Sequence, residues 1–169
     1  MINIITTLLL AVQYQFCEEV YTTLTDREPS EENLAVCSLL IEESNRLDLK
    51  IPLVLGVTFE ESRMTEQKKP NRYKCVGPLQ IKYQFWCPNK KGNINAIKRD
   101  GLLSNCDLFY HGIRALNYYL NKFKPQNKAL CFYNNATKCN RKNNYQSHYV
   151  KRVNKYTKKI KKIYKKYNL

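Results

Sequence analysis

Between Ser30 and Arg46 the residues Leu34, Cys37, Ile41 and Ser44 recur at spacings of three and four, the period of one helix face. Ser30 ahead of Glu31, Glu32 and Asn33 has the chemistry of an N-cap, so the pattern predicts a helix from about Glu31 to Arg46. The segment "LDLKIP" breaks it. Pro52 then suits the first turn of a second helix, where its missing N–H leaves no bond unmade, and that helix is expected to run to about Met64. Further on, "LFYHGIRALNYYLNKF" carries Phe109, Ile113, Leu116, Leu120 and Phe123 at helical spacing, and a shorter helix is expected over "KALCFYNNA". In "HYVKRVNKYTKKIKKIYKKY" the stripe Tyr149, Val153, Tyr156, Ile160, Ile163 and Tyr167 is apolar, and lysines cover the rest. At the other end, "MINIITTLLLAVQYQFC" resembles the apolar core of a signal peptide but has neither a basic leader nor a small-x-small cleavage site. The spacing of Ile5, Leu9, Val12, Phe16 and Val20 favours an amphipathic helix instead. No apolar stretch reaches the roughly 20 residues that span a bilayer.

The stretch from Thr65 to Gly101 is rich in Lys, Asn, Pro and Gly with scattered aromatics, and predicts a long irregular region with a short strand or helix near "PLQIKYQFW". Strands and helices do not alternate, which excludes a parallel sheet and leaves a mainly α fold. The 169 residues suit one domain, divided here into an N-terminal segment, 1–30, and a main body, 31–169.

Charge changes this picture at one end only. There are 29 Lys and Arg against 14 Asp and Glu, a net of +15, and no acid follows Asp107, so residues 108–169, with 16 bases, carry the whole excess while residues 1–107 sum to −1. Such a field attracts polyanions without choosing among nucleic acid, acidic lipid and envelope polymers, and a solvated basic face explains it as simply. The seven cysteines, at 17, 37, 75, 87, 106, 131 and 139, include no Cys-x-x-Cys pair. Setting Cys17 aside leaves six that would suit disulfides, though buried free thiols explain the same count. His111 and His148 have no partner at ligand spacing, so neither a metal nor a cofactor is expected.

Two adjacent carboxylates in "LGVTFEESRM" raise the question of chemistry. Neighbours on a helix differ by about 100°, so Glu60 and Glu61 face different ways. Glu61 continues the inward stripe of Val54 and Val57, whereas Glu60 lies above Gly56 and is expected at the surface, within reach of Arg63. A carboxyl at the end of a buried stripe, opening only to a cleft, is held protonated to higher pH and becomes a general acid. The plainer alternative pairs Glu61 with Arg63 or Arg72.

The motifs that follow decide between these. After "EES" come "YKCVGPLQI", then "GIRALNYYL", then "CFYNNA", then "YVKRV". This order resembles the soluble lytic transglycosylases of the goose-type lysozyme-like group, which have a helix ending in Glu-Ser, a Gly-x-x-Gln-Ile turn, an Ala-Tyr-Asn motif and a final Tyr-x-x-x-Val helix. The resemblance covers about residues 33 to 156. It implies a lysozyme-like helical domain with a long irregular active-site loop region, and cleavage of the bond between N-acetylmuramic acid and N-acetylglucosamine by one glutamate, Glu61. With no second carboxylate in a motif built for water activation, the implied product is a 1,6-anhydro end. At the matching positions Gly77, Gln80, Ile81, Tyr133 and Asn134 would bind substrate, Tyr133 holding the Glu61 carboxyl and Gly77 letting the backbone approach the sugar. Tyr83, Phe85 and Trp86 suit either stacking on sugars or packing, and Ser62 suits helix packing.

The chain departs from that pattern at two places. Phe132, Tyr133, Asn134, Asn135 and Ala136 replace a motif that usually ends in Ala-Gly, and "NRYKC" replaces a small-residue segment. The implied partners are peptidoglycan glycan strands, with anionic envelope polymers on the Lys-rich C-terminal helix, and the implied location is the cell envelope, the periplasm or a phage virion. Two other readings stand beside this one: an inactive lysozyme-like structural component, and a basic nucleic-acid-binding protein, which accounts for the charge but not for the ordered motifs.

Overall fold

A computed structural model describes residues 4–87, 106–142 and 145–167. Its described residues form helices α1 (Ile4–Thr25), α2 (Glu31–Arg46) and α3 (Ile51–Ser62), a hairpin of β1 (Cys75–Val76) and β2 (Ile81–Lys82), then α4 (Tyr83–Trp86), α5 (Leu108–Lys122), α6 (Gln126–Lys142) and α7 (His148–Tyr167). The fold is mainly α. Much of the stretch expected to be irregular, residues 88–101, lies outside the described residues.

α2 has the bounds its pattern predicts. Ser30 accepts from the Asn33 backbone N–H, and the Asn33 side chain accepts from the Ser30 backbone N–H, closing a capping box. The same Asn33 amide also donates to the Met64 carbonyl at 3.0 Å, so it ties the start of α2 to the chain just beyond α3.

α3 is buried between α2 and α7. Residues Ile51 to Phe59 are all buried, polar Thr58 included, as expected of a helix apolar on every side. Thr58 and Ser62 satisfy their hydroxyls on carbonyls one turn back, which removes the cost of burying them. The helix stops two residues before the expected Met64, because Arg63 and Met64 both adopt left-handed backbone, with φ of 57° and 60°. α7 crosses α3 closely at Gly56, where a Cβ would lie 2.5 Å from Thr157 Oγ1 and 3.1 Å from its backbone nitrogen. Only glycine admits that approach.

α1 is the amphipathic helix its spacing predicts, but its inward face is Gln13, Phe16, Cys17 and Val20, and Leu9 is 60% exposed. α7 runs beside it, with Lys166 and Tyr167 both bonded to Glu19. The expected Cys grouping is corrected here: Cys17 pairs with Cys37, Cys87 with Cys106 and Cys131 with Cys139, and Cys75 is the free thiol. Cys17 and Cys37 are both on inward stripes, so packing α1 on α2 brings their sulfurs together. α6 is longer than expected and is interrupted at Asn135, whose backbone is extended. No described helix is long and apolar enough to cross a membrane.

Candidate active site

The last turn of α3 points its two carboxylates at different surroundings, as helix geometry requires. Glu61 Oε1 accepts a hydrogen bond from the Tyr149 hydroxyl at 2.7 Å, and Tyr149 is buried in the first turn of α7. Glu60 Oε1 accepts from Arg152 Nε at 2.8 Å and from Nη2 at 2.6 Å. Its side chain is only 8% exposed, which corrects the expectation of a surface residue: α7 lies over this end of α3 and covers it. Arg63, its expected partner, instead sits over the Phe59 ring and donates to the Tyr156 hydroxyl. Among the described residues Glu61 has no arginine partner either, and Arg72 lies over the ring of Tyr73.

Glu61 opens onto a cleft of about 760 Å³. Asn71, Tyr73 and Cys75 line it, followed by Gln80, Ile81 and Lys82 of the hairpin, Phe85 and Trp86 of α4, Ala115 and Tyr119 of α5, and residues 132–137 of α6. Among the described residues Glu61 is the one carboxylate lining it. Burial raises the Glu61 pKa from 4.5 to about 7; the Tyr149 hydrogen bond pulls the other way, and the neighbouring Glu60 charge adds to the rise. A group with that pKa is part protonated near neutral pH, which suits a proton donor. Tyr149 itself is held well above its ordinary value, by burial first and by the Glu61 charge second, so it stays a hydroxyl and donates. Burial, then the Glu61 charge, also raises the Cys75 thiol and keeps it a weak nucleophile.

The sequence-predicted residues fall into place unevenly. Gln80, Ile81, Tyr133 and Asn134 join Glu61 around the cleft. The Gln80 carboxamide is fixed on both sides, since its oxygen accepts from Asn71 at 2.8 Å and its nitrogen donates to the Gly77 carbonyl at 2.9 Å. Tyr133 does not hold Glu61. Its hydroxyl donates to the Leu79 carbonyl and so anchors the hairpin turn to α6. Gly77 does not line the cleft: its φ of +81° and the Leu108 Cβ, 3.1 Å from where its own Cβ would be, make it a turn and packing glycine. Phe85 and Trp86 line the cleft, while Tyr83 is buried in the core.

Tyr149 and Asn71 are the site residues that sequence reasoning passed over. Tyr149 had a signal, because it opens the Tyr-x-x-x-Val pattern, but its place on the apolar stripe of α7 reads as packing. Asn71 has none, lying in a loop without periodicity. Its Oδ1 accepts from the Tyr73 and Cys75 backbone N–H groups, so it folds the loop and orients Gln80 together. Among the described residues no three His, Cys, Asp or Glu side chains cluster as a metal site. The chain matches no family model, no curated protein and no solved structure.

Proposed function

We propose that the chain cleaves the β-1,4 bond between N-acetylmuramic acid and N-acetylglucosamine in peptidoglycan, with Glu61 as its single acid and base. The observation that carries this reading is a desolvated carboxyl, the one carboxyl among the described residues lining a polar and aromatic cleft. Protonated Glu61 gives its proton to the glycosidic oxygen as the bond to the anomeric carbon breaks. The resulting carboxylate then takes the proton of the sugar's own 6-hydroxyl as that oxygen closes on the anomeric carbon. Atoms balance without water, and the new end is a 1,6-anhydro sugar.

Hydrolysis by paired carboxylates would use a second acid flanking the bond. Glu60 is unsuited to that role, since its oxygens are bound by Arg152 and it is absent from the cleft lining. Gln80 and Asn134 offer donors and acceptors to acetamido and hydroxyl groups, and Trp86 and Phe85 offer flat apolar faces to the sugar rings. The lysozyme-like form of the helical fold is part of this proposal. So is action at a cell envelope or in a virion, where such strands are met. Incubating the purified chain with sacculi and weighing the soluble products tests it: fragments one water lighter than hydrolysis products are expected. Fragments with reducing ends would overturn the mechanism, and no soluble fragments would overturn the activity.

A further inference from the structure

One face of α5 carries Tyr110, Arg114, Asn117, Tyr118, Asn121 and Lys122 at spacings of three and four. With Leu47 at the end of α2 they line a second, open groove of about 780 Å³. Arg114 donates to the Tyr110 hydroxyl at 2.5 Å and lies over its ring; Lys122 does the same to Tyr118, also at 2.5 Å. Each cation is thus held in place by a tyrosine one turn before it, without being neutralised. No carboxylate pairs with either among the described residues, whereas Arg46, Lys68, Arg152 and Lys166 each have one.

The groove adjoins the cleft. The Trp86 ring, which lines the cleft, meets the Tyr118 ring edge-on with centroids 5.7 Å apart, and the adjacent Tyr119 faces the cleft. A polymer leaving the cleft across Trp86 runs onto this face of α5.

We propose that the groove is a second binding site for carboxylate-bearing glycan, occupied by a continuation of the strand held in the cleft. The inference rests on the reading of the cleft given above. Arg114 and Lys122 are eight residues apart, about 12 Å along the helix, which is close to the length of one disaccharide. A strand with N-acetylmuramic acid at every second sugar, bearing its lactyl group and stem peptide, presents carboxylates at about that interval. Asn117 and Asn121, between the two cations, supply amide donors and acceptors for the hydroxyl and acetamido groups. A nucleic acid, with a phosphate about every 3.4 Å of duplex strand, would also meet these two cations, so duplex DNA is one arm of the test.

The test measures binding of the Glu61→Gln chain to purified sacculi by sedimentation at low salt, with and without Arg114→Gln and Lys122→Gln together. Two exposed charge contacts predict about tenfold weaker binding for the altered groove. Binding to a neutral chitin-type tetrasaccharide, which fits the cleft alone, should be unchanged. Amidating the sacculus carboxylates should bring the parent down to the level of the variant, and the charge-keeping pair Arg114→Lys and Lys122→Arg should restore binding. Equal binding by parent and variant, or a difference that survives amidation, overturns the site. A variant that loses duplex DNA but keeps sacculi also overturns it. Cleavage by the unmutated chain is read separately: if it fails while the charge-dependent difference persists, the groove stands and the cleavage reading falls. If neither chain binds sacculi or tetrasaccharide, both fall.

Discussion

Replacing Glu61 by Gln should abolish cleavage and, at alkaline pH, make the protein more stable. In the unfolded chain this carboxyl titrates near 4.5, and in the fold burial lifts it to about 7. Below 4.5 it is protonated in both states and contributes nothing to the pH dependence. Between 4.5 and 7 the folded state keeps a proton that the unfolded chain has released, so stability falls as pH rises; above about 7 the penalty is complete. At 1.36 kcal/mol per unit it amounts to about 3 kcal/mol. Gln keeps the shape, still accepts from Tyr149, and never carries the charge. The variant should therefore melt at nearly the wild-type temperature at pH 4 and higher at pH 8, by up to about 6–12 °C for a chain of this size. Calorimetric or circular-dichroism melts of both proteins at the two pH values check this. An equal gap at both pH values, or a wider one at pH 4, would refute the reasoning, because the carboxyl would then ionise freely inside the fold.

Activity should fall as pH rises through about 7, since the protonated form of Glu61 is the reactive one. Tyr149→Phe removes a bond that favours the carboxylate, so that limb of the kcat/KM profile should move upward by about one unit or more; a downward move would show that Tyr149 supports the acid form instead. Gly56→Ala should cost about 1–3 kcal/mol, read by denaturant melts, and should lower activity as well, because the clash with Thr157 displaces the helix that presents Tyr149. Loss of stability with full activity would show that the α3–α7 spacing does not set the site.

The sequence made the local features legible. The bounds of α2 follow from Ser30 and Asn33, and the opposed directions of Glu60 and Glu61 follow from helix period alone. What it hid was long-range. Arg152 lies 92 positions after Glu60 and Tyr149 lies 88 after Glu61, and no spacing rule spans such distances. Seven cysteines by themselves do not say which is unpaired, and Cys75, on the cleft, is left free because the other six pair with one another. The partner of the Tyr133 hydroxyl is hidden for a related reason: the motif places Tyr133 at the cleft, which it does line, but only the docking of α6 against the hairpin turn shows that its hydroxyl binds Leu79 rather than Glu61. Gly77 illustrates the converse, since a positive φ and a close neighbour account for it without any ligand.

The bond from Tyr149 to Glu61 also ties the completion of the candidate site to the last helix of the chain. A chain translated only as far as α6 already holds Glu61 at the end of α3, but it has neither Tyr149 to orient the carboxyl nor α7 to cover Glu60 and desolvate the pair. Contacts of such long sequence separation form late, after the local helices. On the reading proposed above, the acid is therefore complete only once the last helix has docked.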